Sequence, residues 1–305
     1  MEFRTLAEGL QFPEGPVALA DGSVLLVEIA AGTLTRIAAD GTKSIAAKTG
    51  GGPNGAAIGS DGKGYIVNNG GFEWHREGGH IRPLTQARDY SGGRLERVDL
   101  ASGAVECLYR ACGEVQLKGP NDLVIDAQGG IYFTDLGKRR ARDMDIGAVY
   151  YAKPDGSTIT EVAYPMVTPN GIGLSPDEKT LYVAETEAAR LWAFPIEAPG
   201  VVKKDPWPSP HGGKLVAGMG GYQRFDSLAV QADGRICVAT LVNGGITVIS
   251  PDGRHVEHHP MPDPMTTNIC FGGPDMKTAF ITLSWTGRLV AVDWPTAGLK
   301  LNQAG

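Results

Sequence analysis

Apolar and polar positions along the chain fall into one unit that recurs six times. Each unit opens on a short polar anchor beside Pro or Gly. An apolar strand follows, then an Asp-Gly or Pro-Asp turn, then a second strand rich in β-branched or aromatic residues. The anchors are Phe12-Pro13-Glu14-Gly15, Gly52-Pro53-Asn54-Gly55, Gly119-Pro120-Asn121-Asp122, Thr168-Pro169-Asn170-Gly171, Arg224-Phe225-Asp226-Ser227 and Thr266-Thr267-Asn268. Their polar residues lie 40, 67, 49, 56 and 42 positions apart. The turns follow in phase at Asp21-Gly22, Asp61-Gly62, Gln128-Gly129, Pro176-Asp177, Asp233-Gly234 and Pro274-Asp275, and strands such as Ile131-Tyr132-Phe133-Thr134 come next. Third strands open after Gly93, Gly147 and Gly245, so units of four strands are expected.

Units of about fifty residues, repeated six times without a Pro-, Ser- or charge-rich linker, predict an all-β chain folded as a six-bladed β-propeller. One domain is expected over residues 1–305. Too few residues precede Glu14 for a blade, but Phe3-Arg4-Thr5-Leu6 can supply one strand to the last blade and close the ring. The rival architecture, two packed sheets, does not need six anchors in phase. Composition agrees: 43 Gly and 20 Pro in 305 residues demand many tight turns, and 42% hydrophobic residues exclude global disorder. A formal charge of −6 without a long basic block disfavours nucleic acid or an anionic membrane as partner. The N-terminal residues lack a signal-peptide layout and no apolar run reaches bilayer length, so a cytoplasmic protein is expected. Cys107, Cys112, Cys237 and Cys270 are not spaced as a metal or redox pair and read as free thiols.

If each anchor sits at the axial end of its innermost strand, Glu14, Asp226 and the Asn amides converge on one point. Such oxygens suit a hard divalent cation such as calcium, magnesium or manganese, and the lack of clustered His or Cys argues against a structural zinc site; calcium is the cofactor expected, with magnesium, manganese or zinc as alternatives. Asn54 and Asn268 serve equally well as turn-capping residues. No Gly-x-Ser-x-Gly elbow and no phosphate-binding Gly motif is present. His255, His258 and His259 follow a turn and are given no role, and His75 is the one histidine worth testing.

The ordered motifs Phe12-Pro13-Glu14-Gly15-Pro16, Pro120-Asn121-Asp122-Leu123, Pro169-Asn170-Gly171-Ile172 with Ser175-Pro176-Asp177, Phe225-Asp226-Ser227 and Thr267-Asn268 through Asp275 resemble the gluconolactonase/regucalcin family over nearly the whole chain. The resemblance implies a propeller with a divalent metal at one end of its channel, held by Glu14, Asn170 and Asp226. It places Asn121 in the substrate pocket, or on the metal as in related propeller hydrolases. It implies hydrolysis of a sugar-acid or other catabolic lactone, with Asp226 as base, water positioner or nucleophile. Members that open sugar lactones carry Arg two places before the pocket Asn, where this chain has Gly119, and Lys118 beside it is the candidate substitute. A phosphotriesterase-like hydrolase and a non-catalytic calcium-binding propeller are the alternatives.

Strand counting puts the link between second and third strands of each blade on the metal side. In blade 2 this link, from about Asn69 to Gly92, holds Phe72, Glu73, Trp74, His75, Arg76 and Tyr90 and is expected to be a lid, with Trp74 on the substrate. In blade 3 the link after Asp135 carries Lys138, Arg139, Arg140 and Arg142 against Asp143 and Asp145, a local excess of positive charge able to draw in an anion, or an ordinary solvated loop. Trp285, in blade 6, is a further rim aromatic.

Overall fold

In an open antiparallel sheet one face meets water and apolar residues alternate with polar ones, but strands such as Ile131–Asp135 and Ile236–Leu241 are buried throughout. Their sheets are covered on both faces. Tyr132 packs into the apolar cluster shared with blade 4, while Ile131 and Phe133 pack into the one shared with blade 2. Six such clusters occur, one at each seam between neighbouring blades, and the seam of blades 6 and 1 is closed by Leu10, Leu26, Phe280 and Leu289. The computed structural model describes residues 2–302.

Blade 1 is built from Pro13–Ala18, Val24–Glu28, Thr33–Ile37 and Lys43–Lys48, and blade 2 from Pro53–Ile58, Gly64–Asn68, Arg94–Val98 and Val105–Tyr109. Blade 3 comprises Pro120–Ile125, Ile131–Asp135, Gly147–Ala152 and Ile159–Met166, and blade 5 comprises Arg224–Val230, Ile236–Leu241, Gly245–Ile249 and Val256–Pro260. Blade 6 takes Thr266–Gly272, Thr278–Leu283 and Arg288–Asp293 from the end of the chain and Arg4–Ala7 from its start, with Arg4 opposite Ala291. The ring is therefore a six-bladed β-propeller closed by the N-terminal strand, as the repeat predicts. No helix occurs among the described residues, and none is long and apolar enough to cross a membrane.

Blade 4 departs from the expected four strands. After Pro169–Leu174, Thr180–Glu185 and the long third strand Arg190–Ala198, the outer edge is split between Val201–Val202 and Lys214–Gly218, both paired to that third strand. The intervening Pro206, Pro208 and Pro210 have no N–H to give a ladder, which breaks the edge in two.

At the far end of the channel each first turn is tied by an Asp side chain that accepts the N–H two residues on: Asp21, Asp61, Asp126, Asp177, Asp233 and Asp275. The same end is crossed by Leu299–Asn302, where Leu299 N donates to Val230 O and Asn302 to Ile125 O. Between the two ends lies an apolar cavity of about 710 Å³, lined by residues such as Ala56, Leu123, Ile172, Leu228 and Ile269.

Candidate functional site

All six innermost strands break register at their anchors: between Glu14 and Val17, Pro53 and Gly55, Pro120 and Leu123, Pro169 and Ile172, Phe225 and Leu228, and Thr266 and Asn268. A bulge re-aims the side chain it carries. Here it gathers Glu14, Asn54, Asn121, Asn170, Asp226 and Asn268, all buried, at one end of the channel. Buried hydroxyls brace the bulges. Ser284 Oγ donates to Pro13 O at 2.6 Å and Thr134 Oγ1 to Asn170 O at 2.6 Å. Glycine next to an anchor lets neighbouring inner strands touch: a Cβ on Gly171 would lie 2.6 Å from Asp226 O, and one on Gly15 2.7 Å from Ala56 N.

Where blades 1, 2 and 4 have that glycine, blade 3 has Asp122, and its carboxylate is buried with the other two. Sequence reading gave Asp122 no role, although this break in the glycine pattern was the available signal. Glu14 accepts from Asn268 Nδ2 (2.7 Å) and its neighbour Gly15 N (2.7 Å), and Asp226 accepts from Asn170 Nδ2 (2.6 Å). Burial pushes Glu14 well above the usual carboxylate range, and the charges of Asp226 and Asp122 push it further. Asp226 is raised by burial and then by Asp122, and burial lifts Asp122 to about 7.

None of the described ion pairs involves these three carboxylates. Asn121 Oδ1 is buried without a partner. Repelling carboxylates beside an orphaned amide oxygen form a donor set that fits a hard divalent cation. Among the described residues no group of three or more His, Cys, Asp or Glu is placed to hold a metal, so a cation here needs the Asn oxygens as well. At present Asn170 and Asn268 turn amide N–H groups toward the carboxylates, the positions a cation would compete for.

The link from blade 2 crosses this end of the ring. It is a hairpin: Phe72–Glu77 and His80–Gln86 pair across Gly78-Gly79, both at positive φ. That Gly-Gly pair was a legible hairpin signal. The hairpin reaches three other blades. Arg76 Nη1 donates to Gln11 Oε1 (2.8 Å), Ile81 N to Trp285 O (3.1 Å) and Gln86 N to Arg139 O (2.8 Å). His80 stacks on Trp285 at 4.2 Å, and Trp74 lies 5.2 Å from Phe12 and 6.0 Å from Phe72.

The basic link of blade 3 does not form the open positive surface that its composition suggests. Arg140 is engaged by Asp143 and Asp145, and Arg139 faces Glu187, which also holds Arg224. Lys138 is drawn inside. Lys118 is exposed, with its backbone N–H on Asp135 and its charge toward Asp145. His75 pairs with Glu77 on the outer face of the hairpin.

Comparison with known proteins gives a consistent set of likenesses. The model of the SMP-30/Gluconolactonase/LRE-like region matches residues 12–284. The lactonase Drp35 of Staphylococcus haemolyticus is 30% identical over 257 residues, 84% of this chain and 71% of that protein. Drp35 of Staphylococcus aureus is 35% identical over 133 residues, so the match spans 44% of this chain and 39% of that protein. A gluconolactonase of Xanthomonas campestris superposes with a TM-score of 0.75 at 23% identity, covering 96% of this chain and 89% of that one. A calcium-binding regucalcin of Agrobacterium tumefaciens superposes with a TM-score of 0.78 at 20% identity, covering 100% and 97%.

Proposed function

Since the chain belongs to the SMP-30/gluconolactonase/LRE-like family, we propose that it is a divalent-metal-dependent hydrolase that opens a lactone. The observation that carries the metal dependence is the meeting of Glu14, Asp122 and Asp226, buried and without a cationic partner, with the unpaired Asn121 Oδ1. The lactonase and gluconolactonase names of the relatives support the reaction class.

Glu14, Asn170 and Asp226 would hold the cation, with Asn121 as a further oxygen. When bound, the cation supplies electrophilic polarisation of the ester carbonyl. Asp226 takes the proton of the attacking water on a carboxylate oxygen that the cation leaves free. Asn170, fixed by Thr186 Oγ1 at 3.1 Å, orients Asp226. Asn121 orients the substrate through its amide, and the hairpin excludes bulk water from the mouth.

The test is proton release from a panel of sugar, aliphatic and aromatic lactones by chelated protein resupplied with calcium, magnesium, manganese or zinc. Turnover restored by a cation and reduced at least ~100-fold in Asp226→Asn is expected, the scale of losing a general base. Tight cation binding with no lactone opened would refute the reading.

A further inference from the structure

Lys138 is 1% exposed, yet its ammonium makes a single hydrogen bond, to Asn69 Oδ1 at 3.1 Å. The Phe72 ring lies 3.8 Å from it and the Tyr90 ring 5.5 Å. The two acids whose charge it feels are engaged elsewhere. Asp135 takes the N–H groups of Lys118, Gly119 and Gly137, and Asp145 takes Lys138 N and the Arg140 guanidinium. Burial lowers Lys138 to about 7 against the opposing charges of Asp135 and Asp145.

Beside it, Asn69 spends Oδ1 on Gly71 N and Lys138, while its Nδ2 is buried with no partner. A buried ammonium with one acceptor beside a buried amide N–H group with none is costly. Their place is also informative. Asn69 backs onto Gly52, directly before the Pro53-Asn54 anchor, where an added Cβ would meet Asn69 Oδ1 at 2.4 Å. The pair is therefore buried close behind the blade 2 anchor, at the seam of blades 2 and 3 and beneath the root of the hairpin. One positive charge and two donors match a carboxylate, which brings one negative charge and two acceptor oxygens.

We propose that Lys138 Nζ and Asn69 Nδ2 seat a carboxylate of the substrate, so that the lactone this chain opens is an acidic one. The reaction named here rests on the lactonase reading, but the seat can be tested without turnover. A γ-butyrolactone carboxylic acid and its methyl ester are compared as substrates, and the ring-opened hydroxy diacid is titrated calorimetrically. The wild type prefers acid to ester by about ten-fold or more in kcat/KM, the worth of one charge-assisted hydrogen bond. Lys138→Met, and Asn69→Asp, which keeps Oδ1 but replaces the free donor, each abolish that preference through KM and abolish diacid binding. Preference surviving in both variants, or acid and ester falling together, overturns the seat. If the wild type opens neither lactone, the titration decides alone: diacid bound by the wild type and lost in both variants upholds the seat, and no binding by the wild type overturns it, while the lactonase reading is decided separately by the wider lactone panel.

Discussion

At the residue scale the molecule is organised by carboxylates held where carboxylates are costly. Glu14, Asp226 and Asp122 all titrate above their unfolded range, so the folded chain binds protons that the unfolded chain has released. Stability of the chelated protein should therefore fall as pH rises from about 4, the unfolded range, to about 7, where Asp122 titrates. Thermal melts of chelated protein are expected to show Tm rising as pH is lowered through that window. Cation-loaded protein should behave oppositely, because protons then displace a ligand that binds only the folded state. Glu14 and Asp226 stood out in the sequence because isolated acids recur in phase with the anchors. Lys138 and Asn69 did not: nothing in Gly137-Lys138-Arg139-Arg140 says which base turns inward, and that choice depends on Phe72 and Tyr90 from another blade.

At the scale of elements, strands and turns were legible because each turn carries its own chemistry, an Asp cap followed by Gly22, Gly62, Gly129 or Gly234 at positive φ. Where Gly is missing, Glu178 and Met276 take the same conformation, held by the ring around them. The bulges were not legible, since register depends on the partner strand and not on the strand itself. Gly171 marks one of them. Gly171→Ala would press a Cβ against backbone of blade 5, so a loss of about 1–3 kcal/mol is expected in denaturant unfolding. The hairpin over the mouth is fastened differently, by a few contacts at its tip. Trp285→Ala removes the stack on His80, worth about 0.5–1.5 kcal/mol. Faster tryptic cleavage at Arg76 is expected, with Tm moved by no more than a few degrees.

At the scale of the whole molecule, stability lies in seams, because every blade is covered by its neighbours and the ring has no free face. Closure depends on Arg4–Ala7 pairing with Arg288–Asp293. Deleting residues 2–8 should lower Tm by roughly 3 °C or more, the shift that a loss of about 2 kcal/mol produces in a domain of this size. A melt of the truncated protein, run beside a calcium titration of the same protein, would separate ring closure from formation of the proposed Asp226 site. The same pairing has a consequence during synthesis. Because the first strand waits for nearly the last one, the ring stays open while the ribosome makes blades 1 to 5, with the seam that Leu10 and Leu26 later share with Phe280 and Leu289 still bare. A chaperone that shields that seam in the nascent chain has its strongest claim before residue 293 emerges, and a chain stalled earlier presents an unpaired edge on which two such chains can join.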